Sequence, residues 1–355
     1  MGQDMARNTR RSNGMKKIQP AVQTMVFNTS ATPSGVNQVK TSYIDLSQCA
    51  SLLNRRFYRQ GINWAVSRIQ IFSGVSGSVI VSKLPNTWVM SNAWEKGFRA
   101  WQKMNDEALE ESESVKPRFM DFKIYADAGH HTAGYGDNLL PKSVGDANVY
   151  PADFVPAVPG EWESSKILIP LTGPSATDPG QVTEREVIAV GPSYPGNGDS
   201  GLNAVSLIEG YANSRALPSI VDPNVPDDAA DADGGTAENW IAAIFNDGTQ
   251  QTDEVLGVLT EENNLAPYPF ENDGVNIDTM YPNGETQLRG MELHDFGSIT
   301  STTIGGQTTL KGGMFPCGLI RIDHTTADTA ANLFVVVDLV PGNHRGYLCE
   351  PMTDM

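Results

Sequence analysis

Apolar and polar residues alternate with a period of two along much of this chain, the pattern of β-strands with one buried face. Residues 18–50 follow this pattern and indicate extended chain. The alternating segments 64–72 and 78–83 are separated by the turn-rich sequence SGVSG, so we expect a β-hairpin there. The segments 317–323 and 331–340 give the strongest β signal, and their closeness in sequence predicts antiparallel pairing.

Weaker strand signals lie between long loops in the middle of the chain. We expect strands at 119–127, 167–171 and 184–190, and central strands at the apolar segments 240–245 and 254–259. Strands dispersed in this way fit an all-β protein, a β-sandwich elaborated by insertions. An open parallel α/β sheet would need helices that alternate with the strands, and the sequence does not show them.

One segment has a helical period. Trp94, Phe98 and Trp101 recur every three or four residues and therefore lie on one face of a helix. Asn92 and Glu95 have the spacing of a capping box, so the helix is expected to begin at Asn92. We expect its aromatic face to pack on a sheet, because amphipathic stripes usually serve a core.

Charge is distributed unevenly along the chain. The protein has 25 Lys and Arg residues against 42 Asp and Glu residues, and its formal net charge is −17. Between Met5 and Trp94 there are eleven basic residues and one acid, Asp45, hence a charge of +10, which leaves −27 for the rest. This asymmetry indicates a basic N-terminal part that contacts a polyanion.

The segment ARNTRRSNGMKK (6–17) is basic, polar and almost free of apolar residues, so it cannot bury enough surface to fold by itself. A nucleic acid would supply the missing partner, because Lys and Arg displace condensed counterions from phosphates. A solvated tail or a nuclear-localisation signal is the alternative. The candidate nucleic-acid-binding residues of this segment are Arg7, Arg10, Arg11, Lys16 and Lys17.

A second basic cluster occurs in the sequence NRRFYRQGINW (54–64), where arginines alternate with aromatic residues. Such a composition is typical of surfaces that bind unpaired bases, with arginine on phosphates and rings stacked on bases. Alternatively, the rings belong to the core and the arginines reach the surface over them. The basic candidates are Arg55, Arg56 and Arg59, and the aromatic residues are Phe57, Tyr58 and Trp64.

The sequence GDSG (198–201) matches the residues around the nucleophile of trypsin-like serine proteases. Such an enzyme also needs a base histidine and an orienting aspartate. His130 and His131 lie upstream, but their sequence AGHHTAG does not resemble the histidine motif of that family. Because Gly, Asp and Ser also form turns, we interpret this segment as a loop, and a serine hydrolase using Ser200 stays an alternative.

An acidic loop at 222–235 combines clustered carboxylates with glycine and could hold Ca²⁺, or bridge subunits through it, although the EF-hand pattern is absent. A solvated acidic loop is the alternative. No motif requires a cofactor, since neither a P-loop nor a dinucleotide-binding glycine pattern occurs. The candidate metal ligands are Asp227, Asp228, Asp231 and Asp233.

The three cysteines, Cys49, Cys317 and Cys349, lack metal-ligand spacing. We expect them to be buried free thiols of a protein made in a reducing compartment. No run of about 18 apolar residues occurs, so we expect no membrane span.

The segment KLPNTWVMSNAWEKGFRAWQKMN (83–105), after the basic arm and the RRFYRQG sequence, resembles the capsid proteins of small circular single-stranded DNA (CRESS-DNA) viruses. The similarity is to the smacovirus-like and circovirus-like groups. It lies in the strings LPNTW (84–88) and NAWEKGF (92–98), in the order of arm and strands, and it covers the first third of the chain.

This resemblance implies a single jelly-roll β-sandwich with long loop insertions and one amphipathic helix. Residues 1–40 would be a basic arm that faces the genome, and residues 41–355 the capsid domain. Many copies would assemble into an icosahedral shell around single-stranded circular DNA, found in the virion and, during assembly, inside the host cell, including its nucleus. The host receptor is not specified, and such a protein is not an enzyme.

A different class of protein also fits part of the sequence. An oligomeric β-sandwich module of a virus or phage that binds a receptor or a carbohydrate would account for the acidic loops. It would leave the basic and aromatic N-terminal third without a role. The two hypotheses differ in the size of the assembly, since a shell contains many copies and a binding module few.

Overall fold

A computed structural model describes residues 20–33, 38–116, 120–144, 154–170, 182–195, 203–216, 241, 290–300, 306–326 and 331–354. Within these ranges most regular structure is β-strand in antiparallel sheets, with few helices, so the all-β prediction is confirmed. Sheet A contains β1 (Thr24–Asn28), β3 (Ile62–Phe72), β12 (Gln307–Phe315), β14 (Phe334–Leu339) and β17 (Cys349–Pro351). Sheet B contains β2 (Val39–Asp45), β4 (Gly77–Lys83), β11 (Glu292–Ile299) and β13 (Leu319–Thr326).

The remaining elements are shorter or lie between β4 and β11. Sheet C contains β7 (Lys166–Pro170), β8 (Val182–Ile188), β9 (Tyr194–Pro195) and β10 (Asn203–Ser206). Two small hairpins are β5 (Lys142–Val144) with β6 (Phe154–Pro156), and β15 (Pro341–Gly342) with β16 (Gly346–Tyr347). The helices are α1 (Leu46–Asn54), α2 (Trp88–Ala108), α3 (Ala128–Ala133) and α4 (Leu207–Ala216), with 3-10 turns at Glu113–Val115, Tyr135–Asp137, Pro316–Gly318 and Met352–Asp354.

Sheets A and B pack face to face. The strand order is β1-β14-β3-β12 in sheet A, where β17 adds to the start of β3, and β11-β4-β13-β2 in sheet B. Every pair in the two sheets is antiparallel. Ile69 and Ile71 of sheet A share one buried apolar cluster with Val79 and Val81 of sheet B. The period-two pattern of the sequence therefore supplies the inner faces of a sandwich.

Two expected strand pairs are wrong. The strands at 64–72 and 78–83 exist as β3 and β4, but they lie in different sheets and do not form a hairpin. The segments at 317–323 and 331–340 exist as β13 and β14, which also lie in different sheets. The period of two identifies one apolar face per strand, and that face can be buried beside a neighbour or across the core. In this fold the short connections cross between sheets.

The strand pairing defines two opposite ends of the sandwich. Asn28 at the end of β1 pairs with Phe334 at the start of β14, which pairs with Phe72 at the end of β3. The opposite end of the sandwich carries the start of β1, the helix α1 between β2 and β3, and the segment that follows β14. We call this opposite end the α1 end. Chain segments far apart in sequence therefore meet there.

The helix α2 begins four residues before the expected position. Its N-cap is Thr87, whose hydroxyl accepts a hydrogen bond from the Met90 backbone N–H at 3.4 Å, so the expected start at Asn92 is wrong. Its apolar face does pack on a sheet, as expected. Trp94 is buried in one cluster with Ile167 of β7, and Phe98 and Trp101 pack against that cluster. The helix α4 contributes to the same core.

Other local expectations have mixed outcomes. The strands expected at 167–171 and 184–190 are confirmed as β7 and β8. The extended region expected to reach residue 50 ends at Asp45, where α1 begins. Tyr125 forms an isolated bridge to Ile188 in place of the strand expected around it. Ile241, the residue of 240–245 that the structure describes, is helical, and 254–259 lies outside the described residues.

The three cysteines lie in the described part of the chain. Cys49 and Cys317 are buried free thiols, as expected, whereas Cys349 is free but half-buried. Burial raises the pKa of each thiol.

In the described part of the chain, no helix combines the length and apolar composition that a membrane crossing needs.

The N-terminal boundary drawn from the sequence at residue 40 falls inside the sandwich. Met25 and Phe27 of β1 are buried in the core of sheets A and B, and β1 pairs along its whole length with β14. The folded sheet therefore extends at least to Thr24 on the N-terminal side. Residues 1–19 lie outside the described part of the chain.

Candidate nucleic-acid interface

The second basic cluster lies in the connection between β2 and β3, around α1. Arg55, Arg56 and Arg59 are all exposed. The candidates of the basic arm, by contrast, are among the residues that the structure does not describe: Arg7, Arg10, Arg11, Lys16 and Lys17. The described chain begins at the α1 end, close to the second cluster.

The helix α1 is set by its two caps. Asp45 caps its N-terminus, because its Oδ1 accepts hydrogen bonds from the backbone N–H groups of Ser47 at 2.9 Å and Gln48 at 3.2 Å. Arg55 is the C-cap and adopts the left-handed conformation, with φ 52° and ψ 41°. This conformation ends the helix, and the residue that adopts it is usually glycine. Arg55 and Arg56 consequently follow the negative end of the helix dipole, where cations are stabilised.

Three distant segments meet at the C-terminus of α1. The Asn54 Nδ2 donates to the Tyr347 hydroxyl at 2.7 Å, and the Val22 N–H donates to Asn54 Oδ1 at 3.0 Å. The Tyr347 hydroxyl in turn donates to the Val22 carbonyl at 2.6 Å. These bonds close a ring between the start of β1, the end of α1 and the hairpin β15–β16. We call the set of residues 20–23, 54–58 and 344–347 the basic junction.

The described chain enters this junction beside an arginine. The Arg56 Nη1 donates to the Pro20 carbonyl at 3.5 Å. Lys17 precedes Pro20 by three residues in the sequence, so the first basic cluster ends shortly before the junction begins. The first described residue after that cluster, Pro20, therefore contacts an arginine of the second cluster.

Arg345 is a further cation of the junction that sequence reasoning missed. It is exposed, its Nη1 donates to the Phe57 carbonyl, and its own carbonyl accepts from the Tyr58 hydroxyl at 3.0 Å. Arg345 lies alone among uncharged neighbours in the sequence GNHRGY, far from the other candidates. No local pattern signals it, because only tertiary structure, the pairing of β14 with β3 and the turn after β14, brings it to Phe57.

Arg59, in contrast, lies away from the junction. Its carbonyl accepts from the Ser47 hydroxyl at 3.1 Å, at the first turn of α1, whereas Arg55 follows the last turn. Nine helical residues span about 13 Å. Burial raises the pKa of the neighbouring Asp121 carboxyl, and the charges of Lys123 and Arg59 oppose that rise. The sequence cluster therefore divides into two arginines at the junction and one beside an acid.

The aromatic residues of the cluster are mainly core. Tyr58 and Trp64 are 0% exposed, so the expectation that they stack on bases is wrong. Tyr58 contacts the ring of Tyr347 edge-on, with ring centroids 5.5 Å apart. Phe57 is half-buried. The alternative interpretation holds for Tyr58 and Trp64: their rings fill the sandwich and the arginines reach the surface.

The electrostatics of the junction are positive. Burial raises the pKa of Tyr58, and the charges of Arg56 and Arg345 oppose the rise. Burial lowers the pKa of His344, and the charge of Arg345 lowers it further. Burial raises the pKa of Tyr347 to about 12. The junction thus combines exposed guanidinium groups with neutral hydroxyl and imidazole groups, an arrangement suited to binding an anion.

The metal prediction concerns residues outside the described part. Asp227, Asp228, Asp231 and Asp233 are not described, so Ca²⁺ binding by this loop stays a prediction. Within the described ranges, no group of three or more His, Cys, Asp and Glu side chains is arranged to hold a metal ion.

Ser200 also lies outside the described residues, but the histidines do not. The His130 Nδ1 accepts from the Ala126 N–H at 3.0 Å, and its Nε2 bonds Asn138 Oδ1 at 2.8 Å. The His131 Nε2 bonds the Glu186 carboxylate at 2.6 Å. Both histidine rings are buried. Both ring nitrogens of His130 form hydrogen bonds with nearby residues of the chain, Ala126 and Asn138. His130 therefore has the contacts of a structural histidine.

Comparisons with protein-family models, curated proteins and solved structures found no match to this chain.

Proposed function

We propose that this protein is a viral coat protein. Many copies assemble into a closed icosahedral shell and package single-stranded nucleic acid, DNA according to the sequence resemblance, through the basic N-terminal region. The role is structural, with no reaction catalysed. The observation that carries the proposal is the nested pairing of the eight long strands of sheets A and B.

The sandwich is proposed to be a jelly roll. Taken in chain order, the long strands of sheets A and B pair first with last and inwards: β1 with β14, β2 with β13, β3 with β12 and β4 with β11. Such nesting is that of one long antiparallel ribbon folded upon itself. Wrapping the ribbon adds the pairs β14–β3 and β13–β4 and produces two four-stranded sheets. Eight strands in two sheets are the architecture of jelly rolls, which occur in viral capsids and also in lectins and cupins.

The charge distribution favours the capsid among these jelly-roll proteins. The start of β1, Arg56 and Arg345 all lie at the α1 end, and the basic segment 6–17 precedes β1 in the sequence. A lectin or a cupin needs no such concentration of cations. Cations at one end would bind phosphates without reading the base sequence, as packaging of a whole genome requires.

The long insertion between β4 and β11 supplies surface for contacts between copies. Its described part packs around a core formed by α2, sheet C and α4, which also includes Tyr43 and Leu319 of sheet B. A closed shell is built from repeated symmetric contacts, each of which is small. The high negative charge of the chain outside its N-terminal part makes such contacts sensitive to salt.

Electron microscopy of the purified full-length protein tests the proposal, together with its absorbance at 260 and 280 nm before and after nuclease. We expect uniform round particles with nuclease-protected nucleic acid. A small oligomer free of nucleic acid over a range of salt and calcium concentrations would reject the coat-protein function. The receptor- or carbohydrate-binding module would then be the better explanation.

A further inference from the structure

We propose that Arg345 and Arg56 form a phosphate-binding pair at the basic junction, which holds the backbone of a nucleic-acid strand beside the root of the N-terminal arm. The proposal rests on the proposed function and deepens it, since it adds a binding site from the opposite end of the chain. The partner class is a single-stranded nucleic acid, recognised through its phosphates.

The geometry of Arg345 suits the binding of an anion. Its side chain is exposed, yet its Nη1 is fixed by the hydrogen bond to the Phe57 carbonyl. A guanidinium carries five N–H donors in a planar fork, and this bond uses one of them. A guanidinium held in one position loses less freedom when it binds a phosphate than a mobile one does. Arg345 is therefore preorganised for a bidentate anion.

The backbone is strained at arginines of the basic junction. Among the described residues that are not glycine, φ is positive at Arg55, Cys317 and Arg345. Two of the three are arginines of the basic junction. A residue with a side chain costs roughly 1–3 kcal/mol in such a conformation when the surroundings must enforce it, whereas glycine adopts it freely. Of the proposed pair, Arg345 is at such a position, which indicates that its guanidinium group has a role; Arg55 is the residue before Arg56.

Arg56 and Arg345 are neighbours in the fold, because the Arg345 Nη1 donates to the carbonyl of Phe57, the residue that follows Arg56. The Tyr58 hydroxyl donates to the Arg345 carbonyl at 3.0 Å, next to the same segment. Tyr58 is buried, whereas both arginines are exposed, so the ring belongs to the core and the two charges lie at the surface. Two exposed arginines near each other concentrate positive charge, which a phosphate matches better than a neutral base does.

The segments that carry the site are held together by several hydrogen bonds. Asn54, Val22 and Tyr347 are joined by three hydrogen bonds of 2.6–3.0 Å, and the Gln23 Nε2 donates to the Gly346 carbonyl at 3.1 Å. These bonds tie the hairpin that carries Arg345 to the strand that follows the arm. The site thus lies on the sandwich. Because the Tyr58 ring is buried, it cannot stack on a base. The expected binding is independent of base sequence.

The test uses the full-length protein with the substitutions Arg345→Gly and Arg345→Gln. Glycine suits the positive φ and so removes the cation while relieving the strain; glutamine keeps a polar side chain. Arg99→Gln is the control for loss of one charge, since Arg99 is exposed on α2 and its ion pair is with Glu95 of the same helix. The probe is a fluorescein-labelled oligothymidylate, with binding followed by anisotropy between low and high salt. Thermal unfolding confirms that each variant is folded.

We expect both Arg345 variants to weaken binding about tenfold at low salt, and Arg99→Gln to leave it nearly unchanged. The slope of log K against log salt should fall by roughly 0.7, the value for one phosphate contact on a single strand. Arg345→Lys should recover only part of the loss, because it keeps the charge without the fork.

Two results would overturn the proposal, and they differ. If the wild-type protein binds the probe and the Arg345 variants match it or match Arg99→Gln, the phosphate-binding pair is rejected while the coat-protein function stands. If the wild-type protein neither binds the probe nor carries nucleic acid in particles, the proposed function fails, and the pair fails with it.

Discussion

The indole N–H of Trp162 donates a hydrogen bond at 3.1 Å to the carboxylate of Asp45, a residue that is 0% exposed. Asp45 ends β2 and caps α1, whereas Trp162 belongs to the insertion between β4 and β11. The Gln60 side chain donates to the same oxygen at 3.2 Å and also to the Ile124 carbonyl at 3.0 Å. One buried carboxylate thus joins the sandwich, the helix of the α1 end and the insertion.

This position makes Asp45 sensitive to pH. Burial, with the charge of Asp121 nearby, raises the pKa of Asp45 to about 7, although the hydrogen bonds from Gln48, Ser47 and Trp162 lower it. The folded state therefore holds the proton more tightly than the unfolded state, whose carboxyl has a pKa of about 3.9. The stability contributed by the protonated carboxyl is present below about pH 4 and is lost as the pH rises to about 7.

We predict that Asp45→Asn removes this loss. The free energy of unfolding of the wild-type protein should fall relative to that of the variant between pH 4 and 7, by up to a few kcal/mol. His130 acts in the opposite direction, because burial lowers its pKa to about 4, but its effect is common to both proteins and cancels in the difference. Urea unfolding at several pH values measures it. A constant difference across this range would show that Asp45 does not titrate there.

A glycine next to the insertion gives a second prediction. A Cβ atom at Gly61 would lie 2.1 Å from Cζ2 of the Trp94 ring, well inside van der Waals contact. We predict that Gly61→Ala lowers the free energy of unfolding by about 1–3 kcal/mol, because a packed indole must move. Gly74→Ala is the matched control, since a Cβ there meets nothing within 4 Å. Equal stability of the two variants in thermal unfolding would contradict the packing of α2 on the α1 end.

The conformation of Arg55 gives a third prediction. Its φ of 52° suits glycine and strongly disfavours β-branched residues. We predict that Arg55→Gly keeps or increases stability, and that Arg55→Val lowers the free energy of unfolding by about 1–3 kcal/mol. Both variants lose the same charge, so their difference isolates the backbone. If valine is tolerated as well as glycine, the left-handed cap of α1 is not as described.

The sequence predicted the strands better than it predicted their partners. The periodicity located β3, β4, β13 and β14, because a strand with one buried face alternates wherever it lies. It could not assign them to sheets, because crossing the core and pairing side by side bury the same face. Arg345 was invisible for a related reason: its neighbours come from residues 57 and 58, brought close by tertiary structure alone. For Tyr58 and Trp64 the sequence left both interpretations open, because an aromatic residue beside arginine suits a binding surface and a core equally.

The basic arm gives the last prediction. If residues 6–17 bind phosphates and contribute nothing to the core, then removing residues 1–17 should reduce the nucleic-acid content of the particles strongly and change the melting temperature little. The folded sheet begins further along, with Met25 and Phe27 in its core, so the truncation leaves every described strand intact. Absorbance at 260 and 280 nm of purified particles and thermal unfolding of the same samples measure the two effects.

A second variant separates charge from length. Five substitutions to glutamine, at Arg7, Arg10, Arg11, Lys16 and Lys17, keep the arm but remove its cations. Because counterion release depends on charge and not on the chain that carries it, this variant should lose about as much nucleic acid as the truncation. If it packages as much as the wild-type protein while the truncation does not, the arm acts through assembly geometry. If both package normally, the cations at the junction hold the nucleic acid without the arm.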